Sequence, residues 1–209
     1  MKKVLTIDFD IFLRESINLY NDSDESATEF FRTFSFIQTP FDLISYEKIT
    51  KLLLQYQKSQ IVFMDTHDEI VNLTRNEGPF ELINIDFHHD LGYGENIKWT
   101  LPIKIIDEGN WVKKLWELNR VNKYIWINDF HSDELPYKGR KFLTEQHYID
   151  SYDFDNLLDC DKIYICFSED YIPDTYFPLF DLWKDIFYQD PEEGISLEAQ
   201  EQSEQLSFI

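Results

Sequence analysis

Aspartate and histidine residues are concentrated in the segment INIDFHHDLGYG, residues 83–94. Asp86, His88 and Asp90 occupy alternate positions there, and alternate side chains of an extended chain point to the same side. Two carboxylates on one side repel each other, and a bound cation relieves that repulsion. The spacing therefore predicts a metal site, with a crowded polar turn as the simpler alternative, and His89 is expected to face away.

Two further segments supply side chains of the same types. Asp8 and Asp10 follow the apolar run that begins KVLTI, and His67 lies just past the run QIVFMD. If these runs are parallel strands, their carboxyl ends meet at one edge of the sheet, where ligands bind in such folds. The predicted ligands are carboxylates and imidazoles without a thiolate, which favours hard divalent ions, with Mn²⁺ the best fit and Zn²⁺ the fallback.

The elements that must position these side chains are short apolar runs separated by stretches of helical period. Strands are predicted at residues 3–9, 60–65, 81–87, 123–129 and 162–168, with 101–106 as a candidate sixth. Helices are predicted at 46–57 after Ser45 as N-cap, from the capping-box pattern Thr66-x-x-Glu69 onward, at 108–120 and at 175–188. Strands that alternate with helices predict an α/β fold with a mainly parallel sheet.

The composition predicts one folded domain. The chain has 209 residues, of which 43% are hydrophobic and 17% aromatic, which suffices for a single sizeable core. We expect the domain to span residues 1–188, with a loop at 21–29 and a flexible, acidic C-terminal tail at 189–209. The spacing of Cys160 and Cys166 indicates no disulfide framework. Cys166 is expected to be a small buried hydrophobe, and the tryptophans to lie in the core or a pocket wall.

The net charge of −21 limits the classes of partner. Such a surface repels phosphate backbones and anionic lipid, so nucleic acid and membrane are excluded as partners and a cationic ligand is favoured. Asp8 and Asp10 interrupt the N-terminal apolar run, so no signal peptide is predicted. We therefore expect a cytoplasmic protein, and the sequence indicates no particular oligomeric state.

In order and type, these residues resemble the arginase and histone-deacetylase-like superfamily of metallohydrolases, in which D-x-H-x-D and D-x-D pairs hold two manganese ions. More narrowly, the chain is similar to a branch that includes the peptide arginases, which convert arginine side chains of ribosomal peptides to ornithine. The resemblance covers residues 4–173 through LTIDFDIF, DTHDEIVNL, NIDFHHDLGYG, EGNW and FSEDYIP, of which the last matches least well.

The order of the motifs differs from that of ordinary arginases. There D-x-D follows D-x-H-x-D in the chain, whereas here it comes first, as in the narrower branch. The glycine-rich segment that carries the first histidine of arginases is replaced by MDTHDE. The resemblance thus implies an arginase-like three-layer sandwich whose sheet is circularly permuted.

The resemblance also implies a ligand set and a reaction. It assigns two Mn²⁺ ions to six residues: Asp8 and Asp86 as bridges, His67 and Asp90 at one position, and Asp10 and His88 at the other. The implied reaction is hydrolysis of arginine side chains in a ribosomally made precursor peptide, the expected partner, to give ornithine and urea. Asp90 would pass a proton to the departing amine.

Further candidate residues concern the substrate. The resemblance places Glu108 and Asn110 at the main-chain end of the substrate, and the alternative is the first turn of a helix. Glu169 and Asp170 follow a predicted strand, so that one of them faces the cleft. The resemblance aligns the guanidinium-binding carboxylate with Asp170, with Glu169 as the fallback. The alternative is an acid that stabilises the turn.

His131 follows the predicted strand 123–129 and is a candidate proton shuttle. The alternative is that it belongs to a surface loop.

Three other functions fit parts of the sequence. VLTIDFDIF also resembles the haloacid-dehalogenase-like phosphatases, in which the first aspartate is the nucleophile and Mg²⁺ the cofactor. Ile11 and Phe12 are not the small residues usual there, and that family has no role for D-x-H-x-D. Hydrolysis of a small guanidine, such as free arginine or agmatine, would use the same ligand set. A non-enzymatic metal-binding protein is the third.

Overall fold

The structure is a computed structural model that describes residues 1–13, 41–92, 102–132, 134–135, 137–169 and 172–188. The predicted loop at 21–29, the predicted tail at 189–209 and Asp170 lie outside the described residues.

Strands and helices alternate along the described chain. The strands are β1 (Lys3–Asp8), β2 (Ile61–Met64), β3 (Phe80–Ile85), β4 (Val121–Asn128), β5 (Glu145–Tyr148) and β6 (Lys162–Cys166). The α-helices are α1 (Leu43–Leu53), α2 (Glu69–Leu73), α3 (Trp111–Glu117) and α4 (Phe177–Phe187). None of these described helices has the length and apolar character needed to cross a membrane.

The six strands form one sheet in the order β2-β6-β1-β3-β4-β5, and every neighbouring pair is parallel. Helices cover both faces. On one face, Trp183 of α4 shares a hydrophobic cluster with Ile85 of β3. On the other face, Trp111 of α3 shares a cluster with Trp126 of β4. The predicted α/β class with a parallel sheet is confirmed, and the layers are those of a three-layer sandwich.

The connections explain where a site should form. The chain passes from β1 to β2 over the α1 face, and from β2 to β3 and from β3 to β4 over the α2/α3 face. Connections between parallel strands of one sheet are almost always right-handed crossovers. Two connections that run in opposite directions along the strand order must therefore pass over opposite faces of the sheet. The chain therefore leaves β1 toward one edge and β3 toward the other. In open parallel sheets, ligands bind at the carboxyl ends of two such diverging strands.

One predicted strand is wrong. Residues 102–106, the described part of the candidate sixth strand, contain no strand, and Glu145–Tyr148 takes that place at the edge of the sheet. All four residues of β5 are polar or aromatic and none is buried, so the strand lacks the apolar pattern from which strands are recognised.

The predicted helices form with shifted ends. The first begins at Leu43, because the carboxylate of Asp42, and not Ser45, caps it by accepting backbone N–H groups of the first turn. The third begins only at Trp111 and the fourth at Phe177. Pro178 is at the start of the fourth helix, where a missing N–H group is tolerated.

Candidate metal centre

The face of the sheet under α2 and α3 becomes polar toward the carboxyl ends of its strands. Thr6 of β1 is paired in register with Asn84 of β3, and both are fully buried. One step further along, Asp8 is paired with Cys166 of β6, and Asp86 directly follows β3. Strand alternation puts these side chains on the same face, so two polar layers lie one above the other at the predicted ligand site.

The end of β1 turns sharply into a short 3₁₀ helix, Phe9–Phe12. Asp8 caps this helix, since its Oδ1 accepts the backbone N–H of Asp10 at 3.2 Å. The turn keeps Asp10 buried beside Asp8. The other oxygen, Asp8 Oδ2, accepts the hydroxyl of Ser168 at 2.7 Å. Both aspartates of the D-x-D motif therefore face the interior.

The end of β3 brings its ligand-type side chains together by a turn and not by strand alternation. The strand stops at Ile85, and the backbone N–H of His88 donates to Asp86 Oδ1 at 2.8 Å. Asp90 has a left-handed backbone, with φ 48°. The extended conformation predicted for this segment is thus wrong, although the three side chains do converge. His89 faces away as predicted: its Nδ1 accepts a backbone N–H and its ring lies beside Trp126.

His67 reaches this cluster from the turn between β2 and α2. Its Nδ1 lies 3.2 Å from Asp8 Oδ2, 3.2 Å from Asp86 Oδ2 and 3.5 Å from Asp90 Oδ2. The carboxylate of Glu69 holds the turn by accepting the backbone N–H groups of the two residues before His67. The helix begins at Glu69 after Asp68 and not at Thr66, as the capping-box pattern predicts, but the bond from the Thr66 N–H to Glu69 does form and helps to position His67.

His88 forms the second half of the cluster. Its Nδ1 lies 2.9 Å from Asp10 Oδ2 and 3.8 Å from Asp86 Oδ1. Asp86 thus directs one oxygen to His67 and the other to His88. Three groups of residues can each hold a metal ion, because the ligand atoms within each group lie within 4.8 Å of one another. The groups are His67, Asp86 and Asp90; Asp10, Asp86 and His88; and Asp8, His67 and Cys166.

Burial and like charges strongly perturb the carboxylates. Although burial raises the pKa of Asp86, the hydrogen bond and charge of His67 outweigh it and lower that pKa to about 2. Burial and the charge of Asp86 raise the pKa of Asp90 well above its usual range. Burial and the charge of Asp8 raise the pKa of Asp10 to about 7. Without a cation, the cluster is therefore expected to keep protons on some of its carboxylates.

The two imidazoles are perturbed in the opposite sense. Burial lowers the pKa of His88, but the charge and hydrogen bond of Asp10 outweigh it and raise that pKa to about 10. The pKa of His67 also rises well above its usual range, because nearby anionic groups, among them Asp8, outweigh burial. Among the described residues, two buried atoms of the cluster have no hydrogen-bond partner, Asp10 Oδ1 and His67 Nε2. Buried polar atoms are normally paired, so bound cations would fit this arrangement.

Two residues outside the predicted ligand set orient its carboxylates. The indole Nε1 of Trp111 donates to Asp90 Oδ2 at 2.7 Å, and its ring lies 5.0 Å from that of His67. The amide of Asn84 donates to Asp86 Oδ2 at 3.0 Å. Trp111 lies in the core, as predicted, and its contact with Asp90 has no sequence signal. Asn84 could have been found from its place two residues before Asp86 on the same face of a strand.

Cys166 is the residue that the sequence reasoning missed most clearly. It is fully buried, as predicted, but its sulfur belongs to a group of ligand atoms with Asp8 and His67. The predicted ligand set contains no sulfur, whereas this group of possible ligand atoms does. A cysteine at the end of an apolar run gives no signal of its own, but its place at the carboxyl end of a strand beside β1 does.

The other predicted site residues that the structure describes lie outside the buried cluster. His131 is exposed in the turn after β4. Glu108 and Asn110 lie in the turn before α3, and the side-chain amide of Asn110 bonds the backbone of that turn, as in the alternative prediction of a helix-start turn. Glu169 is exposed and follows Ser168, so it lies at the rim of the cluster. Asp170 is not among the described residues.

Comparisons of the chain with protein-family models, with curated proteins and with solved structures give no match. Fold and site therefore define the chain as an α/β protein with a parallel sheet. At the carboxyl edge of that sheet, buried Asp/His clusters can hold metal ions.

Proposed function

We propose that the chain is a two-metal hydrolase that converts arginine side chains of a precursor peptide to ornithine and urea. The observation that carries the proposal is the position of Asp86, whose two oxygens face two different histidines. A carboxylate shared in this way is suited to hold two cations close together, as in two-metal hydrolases.

The donor atoms of the cluster decide which ions fit. Asp10, Asp86 and His88 offer only oxygen and nitrogen, and Mn²⁺ is our choice among the divalent ions that such ligands bind. When bound, a pair of such ions lowers the pKa of water enough to supply hydroxide near neutrality. The resemblance of the motifs to those of peptide arginases supports the guanidinium as the group attacked.

The residues of the chain have separate roles in the proposed reaction. Water adds to the guanidinium carbon, and the bond from that carbon to the side-chain nitrogen breaks, which releases urea. Asp90 passes a proton to the departing amine, and the indole of Trp111 fixes its carboxylate for this transfer. A carboxylate, Asp170 or the rim residue Glu169, pairs with the guanidinium in bidentate fashion. The net charge of −21 favours approach of a cationic peptide.

The test is turnover by protein loaded with Mn²⁺. Arginine-containing peptides, free arginine and agmatine are incubated separately, and urea is measured together with the mass of each peptide. We expect urea and a matching mass decrease with peptides, and much slower turnover of the two small guanidines. Protein that binds two ions but releases urea from none of these substrates contradicts the proposed reaction. Faster turnover of free arginine or agmatine would change the substrate class.

A phosphatase is the second candidate, because Asp8 and Asp10 lie at the carboxyl end of a central strand. That reaction needs the carboxylate of Asp8 as a nucleophile. Both of its oxygens are engaged, Oδ1 by the N–H of Asp10 and Oδ2 by Ser168. Hydrolysis of p-nitrophenyl phosphate with Mg²⁺ that is lost in Asp8→Asn, without urea release from any guanidine, would favour this candidate.

A further inference from the structure

The third group of ligand atoms differs from the other two because it contains sulfur. Asp8 and Cys166 are paired in register on neighbouring strands, so their side chains leave the same face of the sheet side by side. His67 comes from beyond β2, on the far side of β6, and its ring completes the group. The three side chains are between 0% and 4% exposed, so the group is removed from solvent.

A second observation concerns the two ring nitrogens of His67. His67 Nε2 is buried and has no hydrogen-bond partner among the described residues, although the Nδ1 of the same ring faces three carboxylates. An imidazole nitrogen, a carboxylate and a thiol within 4.8 Å of one another are ligands of the kind that bind Zn²⁺.

Ser168 holds the cysteine and the aspartate together. Its hydroxyl donates to Asp8 Oδ2 at 2.7 Å and lies 3.2 Å from the sulfur of Cys166. The backbone of Ser168 is left-handed, with φ 48°, a conformation that non-glycine residues seldom adopt. The simpler explanation is a buried thiol that is satisfied by Ser168 and by the carbonyl of Asp65 at 3.6 Å. The two explanations differ in what happens when a metal ion is added.

We infer that Cys166 is a sulfur ligand of the ion held by Asp8 and His67. This position then prefers a thiophilic ion such as Zn²⁺, whereas the position of Asp10, Asp86 and His88 prefers Mn²⁺. The two positions therefore differ in the ion that each prefers. On binding, the sulfur–metal bond forms and the thiol proton is released to solvent. The inference rests on the metal centre of the proposed function and deepens it by separating its two positions.

Co²⁺ is the probe, since it accepts oxygen, nitrogen and sulfur ligands and its spectrum distinguishes them. We expect metal-free full-length protein to develop a near-ultraviolet sulfur-to-cobalt charge-transfer band, and Cys166→Ser to lack it. Cys160→Ser is the matched control, because Cys160 is the only other cysteine and is likewise buried, but lies before the amino end of β6. This control should keep the band. Loss of Cys166 should also weaken Zn²⁺ binding at least as much as loss of an outer-shell partner does, roughly 10–100-fold.

The outcomes separate this inference from the proposed function. Co²⁺ that binds with visible ligand-field bands but without the near-ultraviolet band shows that Cys166 is not a ligand, while the metal centre stands. No Co²⁺ bound at all contradicts the centre and the inference together. If Cys166→Ser does not fold, X-ray absorption of the Zn²⁺-loaded unmodified chain decides, since a sulfur ligand gives scattering at about 2.3 Å. Scattering from oxygen and nitrogen alone overturns the inference.

Discussion

The two faces of the sheet carry opposite kinds of residue at consecutive positions of the same strands. At the carboxyl ends, the face under α1 and α4 presents four fully buried isoleucines: Ile7, Ile85, Ile127 and Ile165. The next residue along three of these strands is Asp8, Asp86 or Cys166, on the face under α2 and α3. One face is therefore apolar up to the carboxyl ends of its strands. On the other face, groups that can bind metal replace apolar side chains at those ends.

This difference indicates how the molecule separates stability from function. Burying an isoleucine stabilises the fold by roughly 1.5–3 kcal/mol. On the polar face, the inner layer of Thr6, Asn84 and Tyr124 is joined by hydrogen bonds among its members. In the outer layer, Asp10 Oδ1 and His67 Nε2 are unpaired among the described residues. Residues that violate the rules of packing in this way are expected at functional sites.

The largest effect is expected from Asp86→Asn. Because the two oxygens of Asp86 face His67 and His88 in the two halves of the cluster, this change should remove both ions and all urea release. The fold should remain, because the apolar face of the sheet is unchanged. Elemental analysis after loading with Mn²⁺ measures the ions, and circular dichroism checks the fold. Asp155→Asn, at an exposed carboxylate, is the control and should keep both ions. Two equivalents of metal retained in Asp86→Asn would show that Asp86 is not shared.

A substitution on the apolar face should lower the stability of the fold and leave metal binding unchanged. Ile83 is buried in β3 directly before Asn84, and Ile83→Ala should lower the free energy of unfolding by roughly 2–5 kcal/mol through the cavity it leaves. Metal affinity of the protein that remains folded should not change. Chemical denaturation and a metal titration on the same sample measure the two quantities. A large loss of affinity in Ile83→Ala would mean that the faces are not independent.

Asn84→Ala is the matched change on the polar face. The amide of Asn84 orients Asp86 Oδ2, the oxygen that faces His67, so its loss should weaken metal binding roughly 10–100-fold. The His67 position should lose more affinity than the His88 position, which a purely structural role would not produce. The comparison with Ile83→Ala fails if Asn84→Ala only destabilises the fold and leaves both affinities intact.

The same contrast explains what could be predicted from the sequence. Apolar runs with acidic ends identified five strands and the six ligand-type residues, because parallel strands bring their carboxyl ends to one edge. Glu145–Tyr148 was missed because an exposed edge strand has no apolar period. Cys166 was missed because a thiol within an apolar run looks like core. The turn at Asp90 depends on tertiary contacts, among them the indole of Trp111, which no local pattern specifies.

Counted per pH unit, the smallest expected effect is the dependence of metal affinity on pH. In the metal-free protein, the charge of Asp10 outweighs burial and raises the pKa of His88 to about 10, while burial and Asp8 raise that of Asp10 to about 7. The pair therefore holds at least one proton at pH 6, whereas the binding forms are the neutral imidazole and the carboxylate. Metal must displace any proton held there, so affinity is expected to rise with pH.

The rise should be at least roughly tenfold per pH unit between pH 6 and 8, because each displaced proton contributes a factor of ten per unit. Calorimetric titrations with Mn²⁺ in buffers of different ionisation enthalpy count the released protons. His147→Gln is the control, since it removes a histidine from β5 at the far edge of the sheet and should leave the slope unchanged. An affinity that is independent of pH would mean that His88 and Asp10 do not bind the ion, and that their burial together has another cause.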